Sequence, residues 1–332
     1  MKKKVTLDDI AKATGLSKYA VSRAISGKSG VSDKTRAYVL QVCDDLGYIR
    51  HVPPIHNNMI LFAPKSEMDT AAFWMRVIQG IETAAAQQEY RLTVKTVEES
   101  TEESEIHSLL QTMAGAFFIG HKTGDLIQRV QGLCPTLLLT YPPIPLLKTD
   151  CINISDCEAM ESLCDHMIAL GHRHIAYYGP VGRTFGTELI LGISRSMEKT
   201  GLSAPEIWCD SEQPSEYENT IRLLSKHYNE HSLPSAILCA SDRLAQSVIY
   251  GLNQLSVSVP QEVSVTSFNS DTGMSPVIPL TTMGFNKFDY GMEAFKILYQ
   301  RILDPHQPFR RIRYLQNFIP GATAGLAPQN HI

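Results

Sequence analysis

Long apolar stretches are missing from this 332-residue chain: no window reaches 18 uninterrupted apolar residues. Its start, Met1-Lys-Lys-Lys, leads into the polar Asp8, Asp9 and Lys12 rather than an apolar segment. These absences argue against a membrane span and a secretory leader and point to the cytoplasm. No C-x-x-C pair occurs among the seven cysteines (43, 134, 151, 157, 164, 209 and 239), so free thiols are expected rather than a disulfide framework or a zinc site. Nucleophile-elbow, zinc-protease and dinucleotide fingerprints are absent, so no catalytic residue, metal or cofactor is expected. The one likeness to a phosphate-binding loop, Gly27-Lys28-Ser29, has Ser22 where that motif requires glycine. Fixed-period repeats, low-complexity tracts and a heptad pattern after Leu326 are also lacking, which removes a tetramerising tail. What remains, 43% hydrophobic and 19% charged residues, is an ordinary globular composition, long enough for two or three domains.

Charge is unevenly placed. Residues 1–50 hold ten Lys/Arg against five Asp, whereas the rest holds 20 basic and 29 acidic side chains, a net of −9 out of the total −4. A basic head on an acidic body suits a head that meets a polyanion. Between them, His51-Val-Pro-Pro-Ile-His-Asn-Asn interrupts helical patterning and reads as a linker.

In the head, Thr6 followed by Asp9 resembles a capping box, and Leu7, Ile10, Ala11 and Thr14 recur at helical spacing. Gly15 breaks that helix. Ser17 can cap a second one with Val21, Ala24 and Ile25 inward. The small Ala11 and the turn glycine suit a steep crossing of the two helices. A third helix, from near Ser32 to Gly47, buries Val39, Leu40, Cys43 and Leu46. With that apolar face inward, the second helix presents Lys18, Tyr19, Ser22 and Arg23 outward. Such a helix suits a major groove, where Arg23 forks to guanine, although a merely solvated face has the same pattern.

These residues, Val5-Thr-Leu-Asp-Asp-Ile-Ala-Lys-Ala-Thr-Gly-Leu-Ser-Lys-Tyr-Ala-Val-Ser-Arg-Ala-Ile-Ser with Val31-Ser-Asp-Lys-Thr-Arg and Leu46-Gly-Tyr-Ile, resemble the DNA-binding head of the LacI/GalR family of bacterial transcription regulators. The resemblance implies a dimeric operator binder with Thr6, Ser17, Lys18, Tyr19, Ser22 and Arg23 at the DNA. In the body, strands and helices alternate: strands at 59–63, 90–94, 116–120, 136–140, 175–178, 236–239 and 263–268, with helices at 73–88, 106–113, 158–170, 188–200, 217–227, 243–254 and 290–303. Alternation of this kind predicts parallel sheets covered by helices. His166–Pro180, Ala240-Ser-Asp-Arg-Leu-Ala and Pro279-Leu-Thr-Thr-Met resemble family signatures, so the body is similar to periplasmic sugar-binding proteins. The expected fold is a small all-α helix-turn-helix head plus an α/β body of two doubly wound subdomains. The expected boundaries are 1–49 for the head, 50–58 for the linker and 59–328 for the body. Within the body, one subdomain spans about 59–155 and 286–312, the other about 156–285 and 313–328.

The implied function is a repressor of a near-palindromic operator, controlled by a small metabolite, a sugar or a relative, held in the cleft between the subdomains. Candidate effector residues are Phe73, Trp74, Asp242, Asn269 and Trp208. Each has a plainer reading: the aromatics as core, Asp242 as a helix start, Asn269 as a turn residue. Three departures stand out. Leu189 occupies the position, three before Gly192, where many relatives carry a ligand-clamping arginine. Asn269 replaces a frequent aspartate. Pro53 and Pro54 break the linker helix that relatives use to wedge a leucine into the minor groove, leaving Ile55 as the candidate wedge. A regulator that senses no ligand, or that answers a protein partner, is the alternative. A stand-alone solute-binding protein leaves the head unexplained, and a cleft enzyme lacks a catalytic pair. The Gly171-His-Arg-His turn reads as a helix terminus rather than a metal site.

Overall fold

The computed structural model describes residues 5–25, 30–46, 57–65, 71–98, 101, 103–120, 126–127, 130, 132–142, 146–182, 184–209, 216–271 and 279–329. The head forms α1 (Leu7–Thr14), α2 (Lys18–Ile25) and α3 (Asp33–Asp45). Thr6 starts α1 in a complete capping box: the Asp9 N–H donates to Thr6 Oγ1, and the Thr6 N–H donates to Asp9 Oδ2 at 2.8 Å. Gly15 ends α1 at φ 69°, a left-handed conformation that glycine adopts without a Cβ clash and that turns the chain into α2. Ser17 caps α2 by accepting from the Ala20 N–H at 3.1 Å. Ile10, Val21, Ala24, Ile25, Val39 and Cys43 close a small core between the three helices. Leu46, expected inside, is 43% exposed, because α3 ends at Asp45 and the next side chain no longer follows its buried stripe.

The chain divides into two units, Met1–Ile152 with Gly291–Ile312, and Asn153–Tyr290 with Arg313–Ile332. In the first, α4 (Ala71–Gln87) and α5 (Glu103–Leu110) accompany a six-stranded sheet ordered β11-β5-β4-β3-β1-β2. Its strands are β1 (Asn58–Pro64), β2 (Arg91–Val97), β3 (Gly115–Phe118), β4 (Thr136–Leu138), β5 (Asp150–Ile154) and β11 (Arg311–Tyr314). β1 is buried from Met59 onward, as a central parallel strand with apolar residues on both faces must be. Phe62 and Phe118 are register partners on β1 and β3, and their rings stack at 5.1 Å on one face of the sheet. The edge beyond β5 is fixed by an ion pair: Arg301 donates from Nε to Asp150 Oδ2 at 2.8 Å and from Nη2 to Asp150 Oδ1 at 3.1 Å.

In the second unit the strands are β6 (Ile175–Gly179), β7 (Glu206–Cys209), β8 (Ala236–Cys239), β9 (Ser264–Asp271), β10 (Thr281–Phe285) and β12 (Asn317–Ile319), ordered β12-β10-β9-β8-β6-β7. β6 through β10 pair in parallel, and β12 adds antiparallel to β10. The helices are α6 (Asp156–Ala169), α7 (Thr184–Lys199), α8 (Glu216–Asn229) and α9 (Asp242–Gln254). α6 and α7 pack backbone to backbone at Gly192, where a Cβ would collide with the Cys157 carbonyl oxygen. Ser196 of α7 also donates to Asp165 of α6 at 2.5 Å. β5, α10 (Lys287–Leu303) and β11 each carry the chain across the division.

Candidate nucleic-acid interface and effector site

α2 has two unlike sides. Val21, Ala24 and Ile25 are buried, while Ser17, Lys18, Tyr19 and Ser22 are exposed and Arg23 is half-buried. Tyr19 is 70% exposed, a large ring with almost no packing beneath it. The two cations are held by partners within the head. Lys18 Nζ lies 3.0 Å from Asp8 Oδ2 on α1. Arg23 donates from Nη1 to the Tyr19 hydroxyl at 2.8 Å, with its guanidinium carbon 5.3 Å from the centre of the Tyr19 ring. Neither Asp8 nor the Tyr19–Arg23 contact was foreseen, although the spacing of four between Tyr19 and Arg23 makes them neighbours on one helical face. Thr6 lies exposed at the start of α1, its hydroxyl donating to Asp9 Oδ2 at 2.6 Å. Ile55 and the two linker prolines lie outside the described residues.

The candidate effector residues fall in different surroundings. Phe73 and Trp74 are consecutive on α4 of the first unit, with rings edge to face at 4.9 Å; Trp74 is buried and Phe73 half-buried. In the second unit, Trp208 is core: it is 4% exposed, stacks on His227 at 4.7 Å and meets Tyr178 edge-on. Leu189 is wholly buried in the same core.

Asp242 and Asn269 are brought near one another by Ser270. Ser270 Oγ lies 2.5 Å from Asp242 Oδ1 at the start of α9 and 3.0 Å from Thr282 Oγ1 on β10. Asn269 is the extra residue of a bulge: Phe268 pairs with Met283 and Ser270 with Gly284, leaving Asn269 unpaired at φ 59°. Its side-chain oxygen is buried without a hydrogen-bond partner among the described residues. Such an acceptor is costly unless a donor reaches it. This polar group sits at the carboxyl end of parallel strands, where open α/β sheets bind ligands. Ser270 and Thr282 carried no sequence signal, since serine and threonine at strand ends are commonplace.

At the opposite end of the sheet, a cavity of about 410 Å³ opens among His174, Met197 and Glu206. Glu206 is approached there by His174 and His227 at 3.4 and 3.3 Å. His172 of the Gly-His-Arg-His turn is buried between the Ser235 hydroxyl and the Gly325 carbonyl, and Arg173 donates to the Ile168 carbonyl at the end of α6, which also accepts from the Gly171 N–H at 3.0 Å.

A three-helix head with a cation-bearing second helix, followed by two parallel-sheet α/β units, defines a helix-turn-helix regulator with a body like that of periplasmic binding proteins. Residues 6–51 match the bacterial regulatory proteins, lacI family, and residues 164–324 match the periplasmic binding protein-like domain. The chain is 25% identical over 339 residues to the HTH-type transcriptional repressor PurR of Klebsiella pneumoniae subsp. pneumoniae, covering 92% of this chain and 93% of that one. It is 26% identical over 325 residues to PurR of Escherichia coli, covering 91% and 92%. Among solved structures, the lac repressor dimer bound to operator and the anti-inducer ONPF superposes with a TM-score of 0.70 at 20% identity, covering 97% of this chain and 100% of that one. The transcriptional regulator CelR–cellobiose complex gives 0.68 at 20% identity, covering 96% and 99%. A LacI family regulator from Enterococcus faecium with bound ribose gives 0.68 at 18% identity, covering 81% and 99%. The chain belongs to the LacI/GalR family of bacterial transcription regulators.

Proposed function

We propose that this regulator is a cytoplasmic repressor that binds a near-palindromic operator as a homodimer and is controlled by a small carbohydrate-like metabolite. Residues 1–49 form the DNA-binding domain, 50–58 the linker and 59–328 the effector-binding and dimerising body. The carrying observation is the exposed face of α2, with Ser17, Lys18, Tyr19, Ser22 and Arg23 set on a helix whose other side is closed into a core. Arg23 reads a guanine, Lys18 reaches a base acceptor or a phosphate, Tyr19 stands beside Arg23 on the face that meets the DNA, and Thr6 at the start of α1 meets a phosphate. The protein works by binding, without turnover, since a ligand shifts a regulator only through unequal affinity for its two states.

The effector reading rests on Asp242 and Asn269, whose polar cluster offers acceptors to a ligand's hydroxyls. Cellobiose and ribose in the structural relatives support the same chemical class. Leu189 favours a second reading, a regulator that answers no small molecule, because an aliphatic core residue stands where relatives clamp the ligand. Selection of the purified protein against fragmented genomic DNA at moderate salt tests the first claim: enrichment of a two-half-site motif supports it, and a motif without symmetry counts against the dimer. Thermal shift with neutral mono- and disaccharides then separates the two readings. A shift abolished by Asn269→Ala supports the effector, and no shift across the panel supports the ligand-independent regulator.

A further inference from the structure

Three observations converge on Arg23. Its Nη1 donates to the Tyr19 hydroxyl at 2.8 Å, and its guanidinium carbon stands 5.3 Å from the centre of the Tyr19 ring. On another side lies Gly30, at φ 99°, where an added Cβ would sit 3.2 Å from Arg23 Nε. An arginine on a helix surface samples many rotamers, and fixing it on binding costs conformational entropy. Here the side chain is already held by a hydroxyl, a ring and a glycine-sized gap. Tyr19 has little else to do within the head, being 70% exposed.

We infer that Tyr19 is a positioning residue for Arg23: its hydroxyl and ring aim the guanidinium along α2, so that base discrimination by Arg23 depends on Tyr19. The inference rests on the base-reading role proposed above for Arg23. Gly30 completes the arrangement by leaving room for the guanidinium. Tyr19 and Arg23 thus work as one reading unit, the ring and hydroxyl setting where the five-donor guanidinium stands.

The test is a double-mutant cycle on the full-length protein, using Tyr19→Phe, Arg23→Ala and the combined variant, each selected against a random-sequence duplex pool and then titrated on the best site. Tyr19→Phe keeps the ring and removes only the hydroxyl on an exposed surface, so the head stays folded. The expected result is a roughly three- to tenfold loss of discrimination at the same base pair that Arg23→Ala relaxes, the size of one net hydrogen bond. The salt slope should not change, and the combined variant should be no worse than Arg23→Ala alone. Phosphate contact by Tyr19 would instead lower affinity evenly across sequences. Additive losses, or relaxation at a different base pair, would overturn the positioning role while leaving Arg23 as a base reader. If Arg23→Ala itself leaves base preference unchanged, the base-reading assignment fails, and the inference falls with it.

Discussion

Replacing Arg301 with methionine should destabilise the first unit by about 3–5 kcal/mol, the usual cost of removing one partner from a buried ion pair. Arg301 and Asp150 side chains are 4% and 0% exposed. Arg301 grips Asp150 through two nitrogens and also donates to the carbonyls of Pro305, Gln307 and Pro308, so one side chain fixes both β5 and the turn leading to β11. The losses are unequal. The turn carbonyls lie near Phe309, which is 51% exposed, and water can replace the guanidinium there. Asp150 has no such recourse: the Arg310 N–H at 2.8 Å would be the main donor left to a fully buried carboxylate. Methionine retains much of the arginine stem's volume, so the cost is electrostatic rather than a cavity. At roughly 2–4 °C per kcal/mol for a unit of this size, the corresponding transition should fall by about 6–20 °C in differential scanning calorimetry. Asp150→Asn added to Arg301→Met should recover part of the loss, since an amide is less costly to bury than a charge. A single-variant loss below about 1 kcal/mol, or a double variant worse than the single, would refute the reasoning.

Three further outcomes are expected. Leu189→Ala should cost about 2–5 kcal/mol in chemical denaturation, as for a core leucine, and Leu189→Arg should be worse; a stable Leu189→Arg protein would mean that position 189 faces an aqueous site. Burial raises the thiols of Cys151 and Cys164 to about 11 and that of Cys134 to about 12, so at pH 8 roughly one molecule in a thousand or fewer carries the thiolate. A chromogenic disulfide reagent should therefore label these three only as the pH approaches those values or on unfolding, and rapid native labelling mapped to them by mass spectrometry would contradict that burial. Thr6→Ala removes the hydroxyl of the capping box and should lower protection of the α1 amides in hydrogen exchange by about 0.5–2 kcal/mol; unchanged protection would assign the cap no role.

The legible parts of the fold were those whose reasons are local. β1, β3, β6 and β8 are short apolar runs because their faces are covered, and apolar runs announce themselves. The head was legible for the same reason: its caps and its three-and-four spacing lie within a few residues of each other. The missed strands have distant reasons. β5 opens on Asp150, which is compatible with a buried strand only because Arg301 lies 151 residues further on. β10 begins with Thr281 and Thr282, and the Thr281 N–H donates to the Thr323 hydroxyl at 3.0 Å, well beyond any local window. At the candidate site, the outward face of α2 followed from helical period alone, whereas the pairing of Lys18 with Asp8 depends on how α1 crosses α2. Asn269 is singled out by its place after the Ser267-Phe268 pair, but nothing local indicates that it is left over in the pairing.

That surplus residue acts as a change of parity. In an unbroken strand Phe268 and Ser270 would point to the same side, and Ser270 would be delivered among the apolar neighbours of Phe268 and Met283. One inserted residue reverses the count. Ser270 then pairs with Gly284 and comes out on the side of Ser267 and Thr282, 3.5 and 3.0 Å from their hydroxyls and within reach of Asp242. The meeting of these hydroxyls with one carboxylate is thus written in a number, the one residue by which the paired stretch of β9 exceeds that of β10, more than in the residue types themselves. Removing Asn269 would leave every member of the cluster in the chain while dispersing the cluster between two faces.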